Sequence, residues 1–205
     1  MRAFMLPFAA LAIAAAPAAA ALSDVSAHLA AAKTMTADFV QTSAGGAVTR
    51  GTLSLSRPGR ARFEYEPSVP MLVVADGQTL TLIDYEVAQV SKWPIRGTPL
   101  AVLLDPTIRL DGFARELGPT DGGLPGFVTV QARDRKHPEF GVLTLFFTRD
   151  AQAPGGLALS AWRALDAQGT MTQVQLSRVQ YNVPISKTKF TYRDPRSRGR
   201  APGKG

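Results

Sequence analysis

The residues of this chain that could do chemistry are few, and most of them argue against catalysis. Glu64 and Glu66 form an i, i+2 carboxylate pair, the spacing at which two side chains share one face of a β-strand and could act as general acid and base. They stand opposite Phe63 and Tyr65 and beside Arg62, on what should be the wet face, so solvated cross-strand charges account for them better. His28 lies in an N-terminal helical stretch and His137 in the turn-like KHPE. Neither has a partner at ligand or base spacing, and each reads as a packing or surface histidine. The serine-hydrolase, zinc-protease, P-loop and dinucleotide-binding signatures are absent. There is also no cysteine, which removes disulfides, thiolate metal sites and a cysteine nucleophile. No enzyme activity, cofactor or metal is expected.

One cation stands out by its position. In GTLSLSRPGRARFEYE, residues 51–66, Leu53 and Leu55 point to one side of a strand while Thr52, Ser54 and Ser56 point to the other. The next residue on the leucine side is Arg57. A guanidinium group keeps its charge, so burying it is costly unless acceptors meet it. The competing arrangement lays the side-chain stem on apolar surface and leaves the head in water. Spacing alone leaves both open.

The elements that must position these residues are mainly β. Ser23–Lys33 predicts a short helix with Ser23 as N-cap and Asp24 in the first turn. From Thr34 the period becomes two: Met35, Ala37 and Phe39 alternate with polar residues, and Ala61, Phe63 and Tyr65 share a face. Gly45-Gly46, Pro58-Gly59 and Asp76-Gly77 supply turns, the last between MLVVA and QTLTLID. Further strands are expected within 126–134, 139–150, 157–168 and 170–181, with KFTY, 189–192, last. The expectation is about eleven antiparallel strands in one sandwich or barrel domain. GTPLAVLLDPTIRL, 97–110, breaks the pattern. Thr98 is a suitable N-cap, Pro99 fits the first helical position, and the run after them is too apolar for a surface helix. Such a helix is either an ordinary core element or a plug over a curved β surface.

MRAFMLPFAALAIAAAPAAAALS opens the chain with one basic residue, an apolar run and small residues, the order of an export leader cleaved near Ala18–Ala21. Residues 1–20 are therefore assigned to the leader, 21–194 to a single domain and 195–205 to a basic, disordered tail. Without a cysteine to carry lipid after the leader, the mature protein should be free in the periplasm. The 205 residues carry 23 Lys and Arg against 16 Asp and Glu, a formal charge of +7. That excess suits anionic partners, while export argues against nucleic acid. An exported, curved β protein with helical plugs and many large apolar residues fits a hydrophobic cargo, since antiparallel barrels of this size often enclose an apolar cavity.

The chain resembles the LolA family, the periplasmic carriers of outer-membrane lipoproteins. The similarity runs in order through MTADFVQ (35–41), GTLSLSRPGRARFEYEP (51–67), MLVVADGQTL (71–80), GTPLAVLL (97–104) and TKFTYRDP (188–195). It implies a half-open, curved antiparallel β-barrel whose helices form a lid over a hydrophobic cavity. It also implies that acylated lipoproteins are received from an inner-membrane ABC transporter and delivered to an outer-membrane lipoprotein acceptor. A monomer with no cofactor is expected. The family's lid-latching arginine, which bonds lid carbonyls, matches Arg57. The acyl-binding residues expected on this basis are Phe39, Leu53, Leu55, Phe63, Tyr65, Val73, Leu80, Leu82, Leu100, Leu103 and Leu104. Ala61 stands where many members have an aromatic residue, which implies an enlarged or reshaped cavity. The alternative is a LolA-like module that binds or senses another lipid, glycolipid or phospholipid, without lipoprotein transfer.

Overall fold

The computed structural model describes residues 18–97, 100–105, 110, 114–134 and 136–196. The expected leader up to residue 17, the capping pair Thr98 and Pro99, and the tail from residue 197 lie outside the described residues. Alternating apolar and polar residues produce strands β1 (Thr34–Thr42), β2 (Val48–Ser56), β3 (Arg60–Tyr65), β4 (Met71–Asp76), β5 (Thr79–Asp84) and β6 (Gln89–Pro94). They are followed by β7 (Ala114–Glu116), β8 (Val128–Arg133), β9 (Val142–Arg149), β10 (Leu157–Leu165) and β11 (Met171–Tyr181). All eleven lie in one antiparallel sheet with the order β6-β5-β4-β3-β2-β1-β11-β10-β9-β8-β7. Each strand therefore pairs with a sequence neighbour except where β11 returns to β1, and β6 and β7 remain as separate edges.

Curvature brings distant strands face to face. Phe63 on β3 and Trp162 on β10 are four strand positions apart, which would separate them by roughly 19 Å across a flat sheet. Their rings are instead 6.1 Å apart, edge to face. Two irregularities help the sheet bend. The β1–β11 register shifts between Thr36 and Asp38, opposite Arg178 with its positive φ of 50°, and the β9–β10 register shifts between Leu159 and Ala161.

The concave side holds the main core. Phe39, Leu53, Leu55 and Phe63 from one half of the sheet meet Leu145, Phe147, Leu159 and Trp162 from the other. Two helices cap this core. Helix α1 (Ala18–Ala31) contributes Val25 and Leu29, and helix α2 (Ala101–Leu104) is buried along its whole length. Helix α1 begins before Ser23, so Ser23 and Asp24 lie within the helix and not at its start. The Asp24 carboxylate instead pairs with Arg149 at 3.2 Å.

The outer face departs further from expectation. KFTY does not form a last strand: Lys187–Phe190 is a 3-10 turn whose Ser186 cap accepts from the Thr188 N–H. That turn swings Phe190 onto the outside of the sheet, against Leu72, Val74 and Ile83. Burial there offers Phe190 more than an extended edge would, and β6 and β7 complete the strand count in its place. Ser54 and Ser56 on the same outer face are each 7% exposed, so this part of the outer face is not wet.

Because Trp162 joins the two halves of the sheet, Trp162→Ala should cost about 3–5 kcal/mol, whereas exposed Met171→Ala should stay within about 0.5 kcal/mol of the parent. Equilibrium urea unfolding of the three proteins checks this.

Candidate functional site

The turn from β2 to β3 carries Arg57 to the end of the concave face, where two helices finish. The last carbonyls of a helix have no partner within it, and they mark its negative end. Arg57 uses one such group from each side. Its Nε donates to the Leu103 carbonyl of α2 at 2.8 Å, and its Nη1 donates to the Ala32 carbonyl just beyond α1. The main chain strengthens both contacts. The Arg57 N–H donates to Lys33 O at 2.9 Å, and the Gly59 N–H donates to Leu104 O at 2.8 Å. Gly59 has φ of +76°, and a Cβ there would stand 2.6 Å from Gly77 Cα, so glycine permits the close stacking of the two turns.

Burial pulls the Arg57 guanidinium down to about 10, which leaves it cationic at neutral pH. His28 and Tyr181 complete its surroundings. His28 is 1% exposed, lies edge-on to Phe147 and Tyr181, and its Nδ1 is 2.9 Å from the Pro154 carbonyl. Burial, helped by the charge of Arg57, lowers the His28 pKa below 6.5, against the opposing pull of the Pro154 and Leu157 carbonyls. A neutral His28 donates its Nδ1–H to Pro154 and so ties α1 to the turn before β10. The Tyr181 hydroxyl accepts from the Leu159 N–H at 2.8 Å, and burial raises its pKa.

The apolar residues expected to line a cavity divide into two groups. Phe39, Leu53, Leu55, Phe63, Leu103 and Leu104 are buried and packed against one another in the concave core. Tyr65, Val73, Leu80 and Leu100 are only partly buried against it. Cross-strand pairing with Val73 puts Leu82 on the same face, also half-buried. Val73, Leu80 and Leu82 lie on β4 and β5, toward the β6 edge of the sheet. The phenol of Tyr65 donates to Gln41 Oε1 at 3.0 Å, and its ring meets Phe39 edge to face at 5.2 Å. Ala61 is buried between its cross-strand neighbours Leu55 and Ala75, in the middle of this surface.

The other chemical candidates fall outside this site. Glu64 sits on the outer face, bonded to Arg62 and to Lys189 at 3.1 Å, and Arg62 in particular holds its carboxyl down to about 2. His137 is exposed, stacked on Phe140 and 3.0 Å from Glu139. Among the described residues, no group of three His, Asp or Glu side chains could hold a metal ion. Sequence reasoning overlooked Ala32 and Tyr181, and it read His28 as a packing or surface histidine without placing it beside Arg57. Ala32 acts through its main-chain oxygen, which no side-chain pattern announces.

The family model described as outer membrane lipoprotein carrier protein LolA matches residues 30–193. The chain belongs to the LolA family. An outer-membrane lipoprotein carrier protein from Methylibium petroleiphilum is 32% identical over 185 residues, covering 85% of this chain and 86% of that protein. A second, from Chromobacterium violaceum, is 28% identical over 191 residues, covering 89% and 88%. Among solved structures, a DUF1329 family protein from Desulfovibrio piger aligns with a TM-score of 0.51 at 10% identity, covering 86% of this chain and 98% of that one. That last likeness concerns the fold alone. The LolA family is one of carriers, which bind and release without catalysing a reaction. Within its fold here, the Arg57 junction is where both helices meet the concave sheet.

The buried His28 gives this junction a pH dependence of defined sign. With its pKa lowered in the folded state, the unfolded chain takes up the proton first as pH falls below 6.5, so stability is lost on acidification. Between pH 7 and 5 the parent should lose up to about 1.4 kcal/mol per pH unit more than His28→Gln, as read from urea unfolding at each pH.

Proposed function

We propose that this protein is an exported, periplasmic carrier that receives the acyl chains of lipoproteins at an inner-membrane ABC transporter and delivers them to an outer-membrane acceptor. The observation that carries this reading is the Arg57 guanidinium held between Leu103 and Ala32 carbonyls over a concave face filled by its own side chains. It describes a closed, unloaded carrier. Loading then requires α2 to move off the concave face, which exposes Leu53, Phe63 and their neighbours to acyl chains. The two carrier proteins at 32% and 28% identity support the same cargo class. Among the described residues no helix is long and apolar enough to cross a membrane.

The energetics suit a carrier. Hydrogen bonds to a charged group contribute about 1.5–3 kcal/mol each, while desolvating the guanidinium costs several kcal/mol. The closed state is therefore favoured only modestly. Acyl chains contribute about 0.8 kcal/mol for each buried CH₂, so a few buried carbons suffice to open it. The same small preference for closure opposes loading and assists release, since it shifts the population toward the empty form when an acceptor competes for the cargo. Arg57 acts as the latch in this cycle, and Phe39, Leu53, Leu55, Phe63, Leu103 and Leu104 form the deep part of the lipid surface. Val73, Leu80, Leu82, Leu100 and Tyr65 form its rim.

Native mass spectrometry of the protein purified from the periplasm tests the cargo: triacylated protein is expected, and free phospholipid or glycolipid in its place would favour a LolA-like lipid-binding module. For the latch, Arg57→Leu should still accept lipoprotein from the donor but transfer it to the acceptor roughly tenfold or more slowly, the loss that about 1.4 kcal/mol of closed-state preference would produce. A purified transfer assay decides this, and parental transfer by the variant would remove Arg57 from the mechanism.

A further inference from the structure

The outer face of β8–β11 carries a pocket that the concave site does not use. On β9 Leu145 and Phe147 face the concave core, so the alternate residue Phe146 points outward. Phe146 is nevertheless only 2% exposed, because other side chains close over it. Arg163 on β10 lays its guanidinium 5.0 Å from the centre of that ring, and Phe127 meets the ring edge to face at 6.4 Å. Phe127 and Leu124 belong to the loop between β7 and β8. Main-chain hydrogen bonds hold this loop in place: the Phe127 N–H donates to Leu124 O at 3.1 Å, and the Leu117 N–H donates to Thr129 O at 2.8 Å. A tied turn thus displays two large apolar side chains, with Leu124 40% and Phe127 36% exposed.

Between these side chains lies a cavity of about 260 Å³, with Phe146, Leu124 and Phe127 on its apolar side and Arg163 and Gln173 on its polar side. Arg163 Nε donates to Gln173 Oε1 at 3.1 Å. That bond occupies the acceptor end of the amide and leaves its NH₂ group as a donor. Among the described residues nothing bonds the two Nη groups of Arg163. No lining side chain is a carboxylate. The pocket therefore sets donors and a positive charge beside an apolar floor, and its complement is an apolar group joined to a charged acceptor.

We infer that this pocket docks an acidic protein partner, through one large apolar side chain seated on Phe146 and a neighbouring carboxylate held by Arg163. Size and exposure favour a protein segment over a free small molecule or a lipid. Pockets that enclose a small ligand hold about 300–1,000 Å³ and bury most of it, whereas this one is smaller and open at its rim. A cavity of this size takes one side chain, and the exposed Leu124 and Phe127 are covered only when a larger surface comes with it. An apolar anchor in a pocket beside a charge-assisted bond is the arrangement that concentrates binding energy at protein interfaces. The excess of 23 Lys and Arg over 16 Asp and Glu favours an acidic partner in the same sense. The pocket lies on the face of the sheet opposite the concave core, so the inference stands apart from the carrier reading.

The test is NMR titration of the purified protein with blocked tetrapeptides that carry phenylalanine followed by glutamate between two glycines. Saturable shifts are expected at the Leu124 methyl groups, the Phe127 amide and the Arg163 Nε–H. Replacing the glutamate by glutamine, or the phenylalanine by alanine, should weaken binding about tenfold in each case. Arg163→Gln should weaken the glutamate peptide by the same factor and leave the glutamine peptide unchanged, a difference that a merely structural role would not produce. Leu124→Ser, a change confined to the exposed loop, should weaken both peptides. Shifts that are absent or confined to other residues, equal binding of the glutamate and glutamine peptides, or parental binding by either variant would each overturn the inference. Tighter binding of decanoate than of the peptide at the same resonances would overturn it in favour of an acyl ligand.

Discussion

A guanidinium group that leaves water at the end of an apolar strand face must find fixed acceptors, and at Arg57 two helix ends supply them. This requirement organises one whole end of the molecule. It brings the Ala32 carbonyl after α1 and the Leu103 carbonyl of α2 to a single side chain, while Gly59 holds Leu104 beside them. The last carbonyls of a helix find no partner within it, and Arg57 would otherwise face an apolar surface as an unpaired cation. The arrangement is mutual satisfaction of groups that are each costly alone. Its net strength is small because favourable charge-assisted bonds are set against desolvation. A contact of that kind fits a joint that opens and closes better than one that must stay shut.

The sheet makes such a joint useful. Eleven strands laid flat would leave one broad apolar face with nothing to cover it, and curvature lets the two halves cover each other, as Phe63 and Trp162 do. The fit is tightest where α1 and α2 close over it and loosest near β6, where Leu80 and Leu82 remain half-buried. The concave core is consequently graded from a packed interior to an accessible rim. In the carrier reading, cargo would meet the rim first and compete for the interior only once α2 has moved.

Charge is sorted by the same architecture. At the concave end the neutral His28 and the cationic Arg57 share a buried site, and the imidazole is kept neutral by burial and by that neighbouring charge. On the outer face Glu64 is held between Arg62 and Lys189, in the network that fastens the C-terminal segment across β3 and β4. That fastening carries the chain past β4 toward β6, where the charge of Lys92 reaches Asp194.

Much of this was legible in the residues themselves. Alternation of apolar and polar side chains has a period that only a strand satisfies, so Met35-Ala37-Phe39 and Ala61-Phe63-Tyr65 announced their strands and their inner face. The run Ala101–Leu104 announced its burial by having no polar side, and Arg57 declared its position through the register of Leu53 and Leu55. Resemblance to the LolA family added the curvature and the carrier class. Sequence could not name the acceptors of Arg57, because Ala32 and Leu103 contribute main-chain oxygens common to every residue. Nor could it show that KFTY turns away from the sheet, since an extended strand and a 3-10 turn place Phe190 differently only once Leu72, Val74 and Ile83 offer a surface to bury it. Local pattern determined the elements, their faces and the one misplaced charge. Which backbone atoms meet that charge, and which outer face receives the C-terminal segment, depended on contacts between residues far apart in the chain, and those exist only after the sheet has curled.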